Sequence, residues 1–310
     1  MTAALVAVVV LFAWNLGAHY TGATMGMPYA AGAVSLWPAL AVVAVFSLLG
    51  ATFASGRVER TVGEHLVPAP DVRTSTALVI VAAAGALTML FNYLRLPTST
   101  IQILVFCVLG AAVAAHLPVD WATLGRLVLV WVAAPLGALA LGFAFTRGLD
   151  LVVPRLRRLL PLLLVAVGVC ASFALGGNDV ANATGALILV HLVSLREAGA
   201  IGGAAMLVGA LTWGRRILDR VAFDVVRLDL AMASAAQGVQ ALVILLAVAQ
   251  GYFTSMNQAL IAAMAGAGLA RGRQTVDRAQ LTAILRGWLI GPAAGFALAY
   301  AVELLARSSG

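Results

Sequence analysis

An all-α polytopic membrane protein, made of two inverted-topology repeats, is the fold class this sequence predicts. Three observations predict it: composition, the length of the apolar runs, and chemical landmarks that recur along the chain. Hydrophobic residues make up 63% of the 310 and charged residues only 10%, with a mean hydropathy of +1.03. A water-facing surface needs far more charge, which excludes an ordinary soluble domain. Apolar runs long enough to cross a hydrocarbon core, roughly 20 helical residues, follow one another from end to end. Alternating strand patterns are absent, so the spanning elements are helices.

The first apolar stretch, residues 3–14, has no basic residue before it and no small-x-small cleavage site after it. It therefore reads as a first span and not as a signal peptide. Polar connections at residues 56–73, 118–126, 147–158, 213–229 and 271–280 divide the rest into about ten full spans. Two stretches, 17–35 and 176–195, are too rich in Gly, Asn and Thr for ordinary spans, and each is predicted to be a broken or re-entrant segment. Each repeat then holds about five full spans plus one such segment. The boundaries are residues 1–146 for the first repeat, 147–160 for a cytoplasmic basic linker and 161–310 for the second repeat.

The repeat itself is read from landmarks. Gly17-Ala18-His19-Tyr20 corresponds to Gly176-Gly177-Asn178-Asp179, Thr98-Ser99 to Thr254-Ser255, and Gln102 to Gln258. Val119-Asp120 corresponds to Val276-Asp277, Trp131 to Trp288 and Pro135 to Pro292, every offset being roughly 157 residues. An odd number of spans per half inverts the second half. Arginines agree: Arg95, Arg147, Arg155, Arg157, Arg158, Arg215, Arg216, Arg220, Arg227, Arg271, Arg273 and Arg278 fall on one face, whereas Arg57, Arg60, Arg73 and Arg307 fall on the other. The richer face is predicted to be cytoplasmic in a prokaryotic-type plasma membrane, with both termini outside. This sidedness accounts for the formal charge of +7 without a nucleic-acid partner. The run Arg155-Leu-Arg-Arg158 reads as an anchor for acidic lipid headgroups. Cys107 and Cys170 stand alone in apolar runs and read as core packing residues.

Ionisable side chains inside a membrane are costly and usually functional, which singles out Asp179. It lies in Leu175-Gly-Gly-Asn-Asp-Val-Ala-Asn-Ala-Thr-Gly185, between apolar runs. Flanking glycines let the helix unwind, so a half-helix N-terminus can face an anion while freed carbonyls and the carboxylate hold a cation. Asn178, Asn182 and Thr184 add neutral polar atoms that suit an anion pocket. The plainer account, in which Asn178, Asp179 and Asn182 only cap a kinked helix, is outweighed by their spacing between glycines in a duplicated chain.

Gly176-Gly-Asn-Asp-Val-Ala-Asn-Ala183 resembles the Gly-Ala-Asn-Asp-Val-Ala-Asn-Ala signature of the inorganic phosphate transporter family, which includes a sulfate permease branch. The resemblance spans nearly the whole chain. Phe12-Ala-Trp-Asn-Leu-Gly17 and Met25-Gly26 are similar to the flanks of the first signature copy. Leu96-Pro97-Thr98-Ser99-Thr100-Ile101-Gln102 and Tyr252-Phe253-Thr254-Ser255-Met256-Asn257-Gln258 resemble the Pro-Val-Ser-Thr-Thr-His element. The resemblance implies a secondary transporter of a tetrahedral oxyanion, sulfate or phosphate, coupled to a proton or sodium gradient, with no other cofactor. It implies Ser99, Thr100, Ser255 and Asn257 as anion ligands and Asp179 as the cation-coupling residue; Asn15 and His19, near the first copy, are further coupling candidates, His19 because an imidazole titrates in the physiological range, the alternative being a hydrogen bond to a carbonyl. A second copy of the chain is a candidate partner.

The departures are as informative. His19 stands where the family has Asn, Tyr20 where it has Asp and Ala23 where it has the second Asn, so one carboxylate is missing; both later elements end in Gln, not His. The first copy is similar to the sulfate permease branch. Sulfate offers acceptors only, whereas monohydrogen phosphate carries an O–H that wants an acceptor such as a carboxylate, and the loss of an acid leans the same way. Arg286 is expected to snorkel to the interface, the alternative being a pairing with Glu303. His65 and His116 are expected at span ends and His191 in packing. A membrane-embedded enzyme is disfavoured because only one acid is read near a glycine break. A passive anion channel and a non-translocating anion receptor are the alternatives to a symporter.

Overall fold

The computed structural model describes residues 1–69, 72–94, 98–156, 158–224, 228–272 and 278–308. Arg95, Leu96, Pro97, Arg157, Arg227, Arg273, Val276 and Asp277, named above, lie outside the described residues. Among the described residues every regular element is helical. The first half contains α1 (Thr2–His19), α2 (Thr21–Ala30), α3 (Leu36–Phe53), α4 (Gly56–Arg60) with a π-helical turn (Thr61–His65), α5 (Thr74–Tyr93), α6 (Thr100–Ala114) and α7 (Trp121–Leu156). The second contains α8 (Leu160–Asp179), α9 (Ala181–Leu189), α10 (Leu195–Asp224), α11 (Leu230–Ala249), α12 (Met256–Ala270) and α13 (Arg278–Ser308).

Leu-, Val- and Ala-rich runs offer no side chain that competes for the backbone, and hydrocarbon leaves the helix as the way to satisfy it. Starts are set by caps. Asp120 Oδ1 accepts from the Ala122 and Thr123 amides at 2.8 and 3.1 Å before α7, and Asp229 Oδ1 from Ala231 and Met232 at 3.1 and 3.0 Å before α11. Ser194 and Glu197 form a reciprocal capping box at α10.

Among the described residues, seven helical stretches are long and apolar enough to cross a membrane: Thr2–Ala30, Leu36–Phe53, Thr74–Phe91, Trp121–Val152, Leu160–Leu189, Leu230–Ala249 and Leu285–Ser308. About ten full spans were expected; α10, 30 residues long, is not among the seven. Helices α6 and α12 are apolar but only 15 residues long. They are short because Ser99 and Ser255, just before them, are extended, at φ −99°, ψ 118° and φ −72°, ψ 117°. Hydropathy does not register an extended stretch inside an apolar run. Helix α7 runs on to Leu156, into the expected basic linker at 147–160, and α10 continues through Arg215 and Arg216 to Asp224. Arginine is a good helix former and does not end a helix by its charge. Cys107 is buried, but Cys170 is exposed on α8 and is no core residue. His191 is likewise exposed and closes α9 with φ 53°, a capping conformation and not a packing one.

The two predicted interruptions are present as breaks of one residue each. Only Tyr20 separates α1 from α2, and only Val180 separates α8 from α9, so each pair reads as one interrupted span and not as a span plus a separate re-entrant piece. The long elements of the second half begin 156 to 160 residues after their counterparts: α8 after α1, α9 after α2, α10 after α3, α11 after α5, α12 after α6 and α13 after α7. Packing follows the same exchange. Helix α1 packs on α10 and α8 on α3, while α6 packs on α13 and α12 on α7. In the first pair of contacts a Cβ at Gly17 would overlap the Met206 carbonyl and one at Gly209 the Trp14 carbonyl; in its counterpart Gly176 faces the Ser47 carbonyl and Gly50 that of Phe173. Gly110 against Phe296 and Gly266 against Leu139 repeat the arrangement in the other two contacts. Where apolar attraction between helices is weak, such small residues allow the backbone approach that holds them together.

Candidate functional site

The break between α8 and α9 is the polar centre of the molecule. Asn178 and Asp179 are wholly buried at the end of α8, and Asn182 is buried as the second residue of α9. Asp179 Oδ2 accepts from Asn178 Nδ2 at 2.8 Å and its Oδ1 from Asn182 Nδ2 at 3.2 Å. Asn178 also reads the backbone of Thr254, donating to its carbonyl at 2.9 Å and accepting from its N–H at 3.0 Å. That pairing brings the extended segment before α12 onto the break.

The first break meets the second. Tyr20 is buried and its hydroxyl shares a 2.8 Å hydrogen bond with Thr100 Oγ1 at the start of α6, beside the Asp179 carboxylate. The residue that replaces a carboxylate in the first copy thus supplies a phenol to the carboxylate that remains. Ser99 and Ser255 cap α6 and α12, each accepting from the backbone N–H of the Gln three residues on, Gln102 or Gln258, at 3.4 Å. Two helix N-termini, with their positive dipole ends, and two helix breaks are therefore drawn together. Among the described residues, the buried oxygens Asn182 Oδ1, Thr254 Oγ1, Gln102 Oε1 and Gln258 Oε1 on these segments have no hydrogen-bond partner. An amide presents its oxygen to a cation or, turned over, its NH2 to an anion.

The structure thus joins Asn178, Asp179, Asn182 and Thr100 in one network and sets Ser99 and Ser255 at the adjoining helix starts. Thr184 donates its hydroxyl to Glu59 Oε1 and to the Val180 carbonyl, each at 2.9 Å. His19 packs edge-on against Tyr20, ring centroids 4.8 Å apart, and no hydrogen bond joins it to Asp179 among the described residues. Asn15 is half-buried in α1 with its Nδ2 unpaired, and Asn257 is half-buried at the start of α12. Arg286 is exposed, and Glu303 pairs instead with Arg307 at 2.9 Å and Thr76 at 2.8 Å.

Several residues were missed in the sequence. Tyr20 was noted only as a departure, although its register with Asp179 marked it. Glu59 and Glu303 are buried carboxylates, so a single interior acid was an undercount. Gln237 and Gln240, three apart in an apolar span, link α11 to the Ala23 carbonyl at 3.0 Å and to that of Met256 at 3.2 Å.

Helices interrupted at facing polar positions, with further helix starts aimed at the same point, define the class: a polytopic membrane transporter, not an enzyme. Residues 16–158 and 152–299 match the phosphate transporter family, and the chain belongs to that family. The sulfate permease CysP of Bacillus subtilis is 26% identical over 296 residues, covering 93% of this chain and 83% of that protein. The chloroplastic inorganic phosphate transporter 2-1 of Arabidopsis thaliana is 32% identical over 142 residues, 41% of this chain and 24% of that protein. The solved structure of a sodium-dependent phosphate transporter shares the fold, with a TM-score of 0.88 over 99% of both chains at 20% identity.

Proposed function

We propose that the chain is a cation-coupled sulfate symporter of the cell membrane, working by alternating access around the Asn178–Asp179 break. The observation that carries the coupling is the buried Asp179 among neutral donors. A dianion beside a carboxylate in a low-dielectric interior is strongly repelled unless a cation enters with it. Asp179 and Asn182 would hold that cation, sodium or a proton, while the N-termini of α6 and α12 with Ser99, Thr100 and Ser255 would hold the anion.

Sulfate is favoured because both oxygens of Asp179 already accept hydrogen bonds and Tyr20 stands where a second acid would be. Asp179 is then a single, already engaged carboxylate for the O–H of a protonated phosphate, where two acids would serve it better. The name of the Bacillus subtilis relative supports the same reading. Phosphate is the second reading: the unpartnered amide oxygens of Asn182, Gln102 and Gln258 are acceptors that such an O–H could use.

The transport cycle is assigned to two inverted repeats, residues 1–146 and 161–310, with both termini outside. Matching element order, exchanged packing partners and paired glycine contacts support the duplication. Uptake of labelled sulfate and of labelled phosphate into proteoliposomes, under proton and sodium gradients imposed in turn, tests substrate and coupling together. Asp179→Asn is expected to abolish gradient-driven uptake while the protein still inserts. Normal uptake in that variant refutes the role of Asp179. Flux that survives collapse of both gradients identifies a channel, and binding without flux a receptor.

A further inference from the structure

Glu59 is a second enclosed carboxylate near the broken helices, and nothing in the transport reading uses it. It lies on α4, outside the seven long spans, and is fully buried. Its Oε1 accepts from the Thr184 hydroxyl at 2.9 Å and from Ser55 at 3.5 Å, whereas Oε2 has no partner. Helix α10 seals the cluster with two glycines. A Cβ at Gly199 would come within 2.9 Å of Ser55 Oγ, and one at Gly202 within 2.6 Å of Thr184 Cγ2.

Among the described residues no cation pairs with the carboxylate. Arg57 donates to the Ala249 carbonyl, and Arg60 pairs with Glu64 at 3.3 Å. On the other elements packed against α4, His65 of the π-helical turn and Arg196 of α10 are exposed, Glu197 is taken by Ser194, and Asp179 of α8 belongs to the central network. Arg215 and Arg216 lie towards the far end of α10, and α9 and α11 carry no charged residue. An enclosed carboxylate with an unanswered oxygen is costly as an anion and is relieved by a proton. Burial pushes the Glu59 carboxyl up to about 8, against the two hydroxyl donors that lower it.

α4 is also a strap across the transport site. On one side Arg57 holds the Ala249 carbonyl and Thr61 Oγ1 the Gly251 carbonyl at 2.7 Å, at the turn that leads to Thr254 and α12. On the other side Glu59 holds Thr184, four residues past the break at Val180. A cavity of about 620 Å³ lined by Gly56, Arg57, Arg60, Leu195, Val248 and Ala249, among others, adjoins the strap.

We propose that Glu59 is a proton-binding site that clamps α4 onto α9 when protonated and releases the second broken helix when its proton passes to water. The proton sits on Oε2; on release, water takes it as hydronium and the charged carboxylate loses its apolar seat. This rests on the transporter reading, from which it also differs, because Asp179 acts on the transported ions and Glu59 on the movement of α9.

The experiment compares uptake of wild type and Glu59→Gln in proteoliposomes across external pH. Glutamine keeps an acceptor for Thr184 and never ionises. Above about pH 8 wild-type uptake is expected to fall by up to about tenfold per pH unit more than uptake by Glu59→Gln does. Coinciding profiles overturn the proposal. A second measurement needs neither transport nor that variant to fold. Infrared spectra of wild-type protein in lipid at neutral pH should show the C=O stretch of a buried protonated carboxyl, displaced in Thr184→Val. Absence of a band sensitive to Thr184 overturns the proposal. If wild type moves neither sulfate nor phosphate, the transport reading fails while the infrared result still decides the proton.

Discussion

Asn178→Ala is the perturbation whose consequence follows most directly from the geometry. The side chain makes three hydrogen bonds, at 2.8 Å to Asp179 and at 2.9 and 3.0 Å to the carbonyl and N–H of Thr254. Alanine leaves those two backbone groups buried and unpaired and takes one donor from the carboxylate. Orphaned groups in a protein interior cost about 1–3 kcal/mol each, about 3–9 for three. Interhelical bonds in membranes average about 0.6 and reach about 1.7 kcal/mol, about 2–5 for three. The scales overlap at about 3–5 kcal/mol, and water entering the enlarged site favours the lower end, so about 3 kcal/mol is expected. Unfolding in mixed micelles titrated with denaturing detergent reads this as a shift of more than a hundredfold in the folding equilibrium. Thr254→Val is the control: it removes a hydroxyl that already lacks a partner and leaves the backbone pairing intact, so it should change stability by less than about 1 kcal/mol. A loss under about 0.5 kcal/mol in Asn178→Ala, or an equal loss in the control, would refute the reasoning.

Tyr20→Phe removes the hydroxyl shared with Thr100 beside Asp179; it should cost about 1–2 kcal/mol and weaken anion uptake far more than His19→Phe, both measured in proteoliposomes. Gly209→Ala and Gly50→Ala should each destabilise by about 1–3 kcal/mol or more, since both place a methyl on a neighbouring carbonyl, as thermal unfolding in detergent would record. Gly125→Ala, with nothing within 4 Å, should be neutral or stabilise α7 by about 0.4–1 kcal/mol. Glu59 gives a pH dependence of stability. Between the ordinary value of 4.5 and about 8 the folded chain holds a proton that the unfolded chain has lost, so stability falls as pH rises through that window. Glu59→Gln should flatten this fall.

The membrane class, the helical fold, the two interruptions and the signature around Asp179 were all legible in the residues, because each is local. Apolar run length is a property of consecutive positions, and Asn178, Asp179 and Asn182 meet within one turn of chain. The register of Tyr20 with Asp179 was also visible, although its meaning was not. The shortness of α6 and α12 was not legible, because hydropathy is continuous where the backbone before each helix is extended. The bond from Thr184 to Glu59 was not legible, because Glu59 lies 125 positions earlier in the chain.

What the amino-acid order determined alone is thus the solvent of the protein, its helical grammar and the chemistry gathered at one break. Only the tertiary structure decided that the phenol of Tyr20 faces the surviving carboxylate, that Asn178 grips the backbone before α12, and that a short strap buries a further acid against α9. The reason is distance along the chain. Contacts within one helical turn are dictated by spacing, whereas contacts between helices depend on which glycines let two backbones touch.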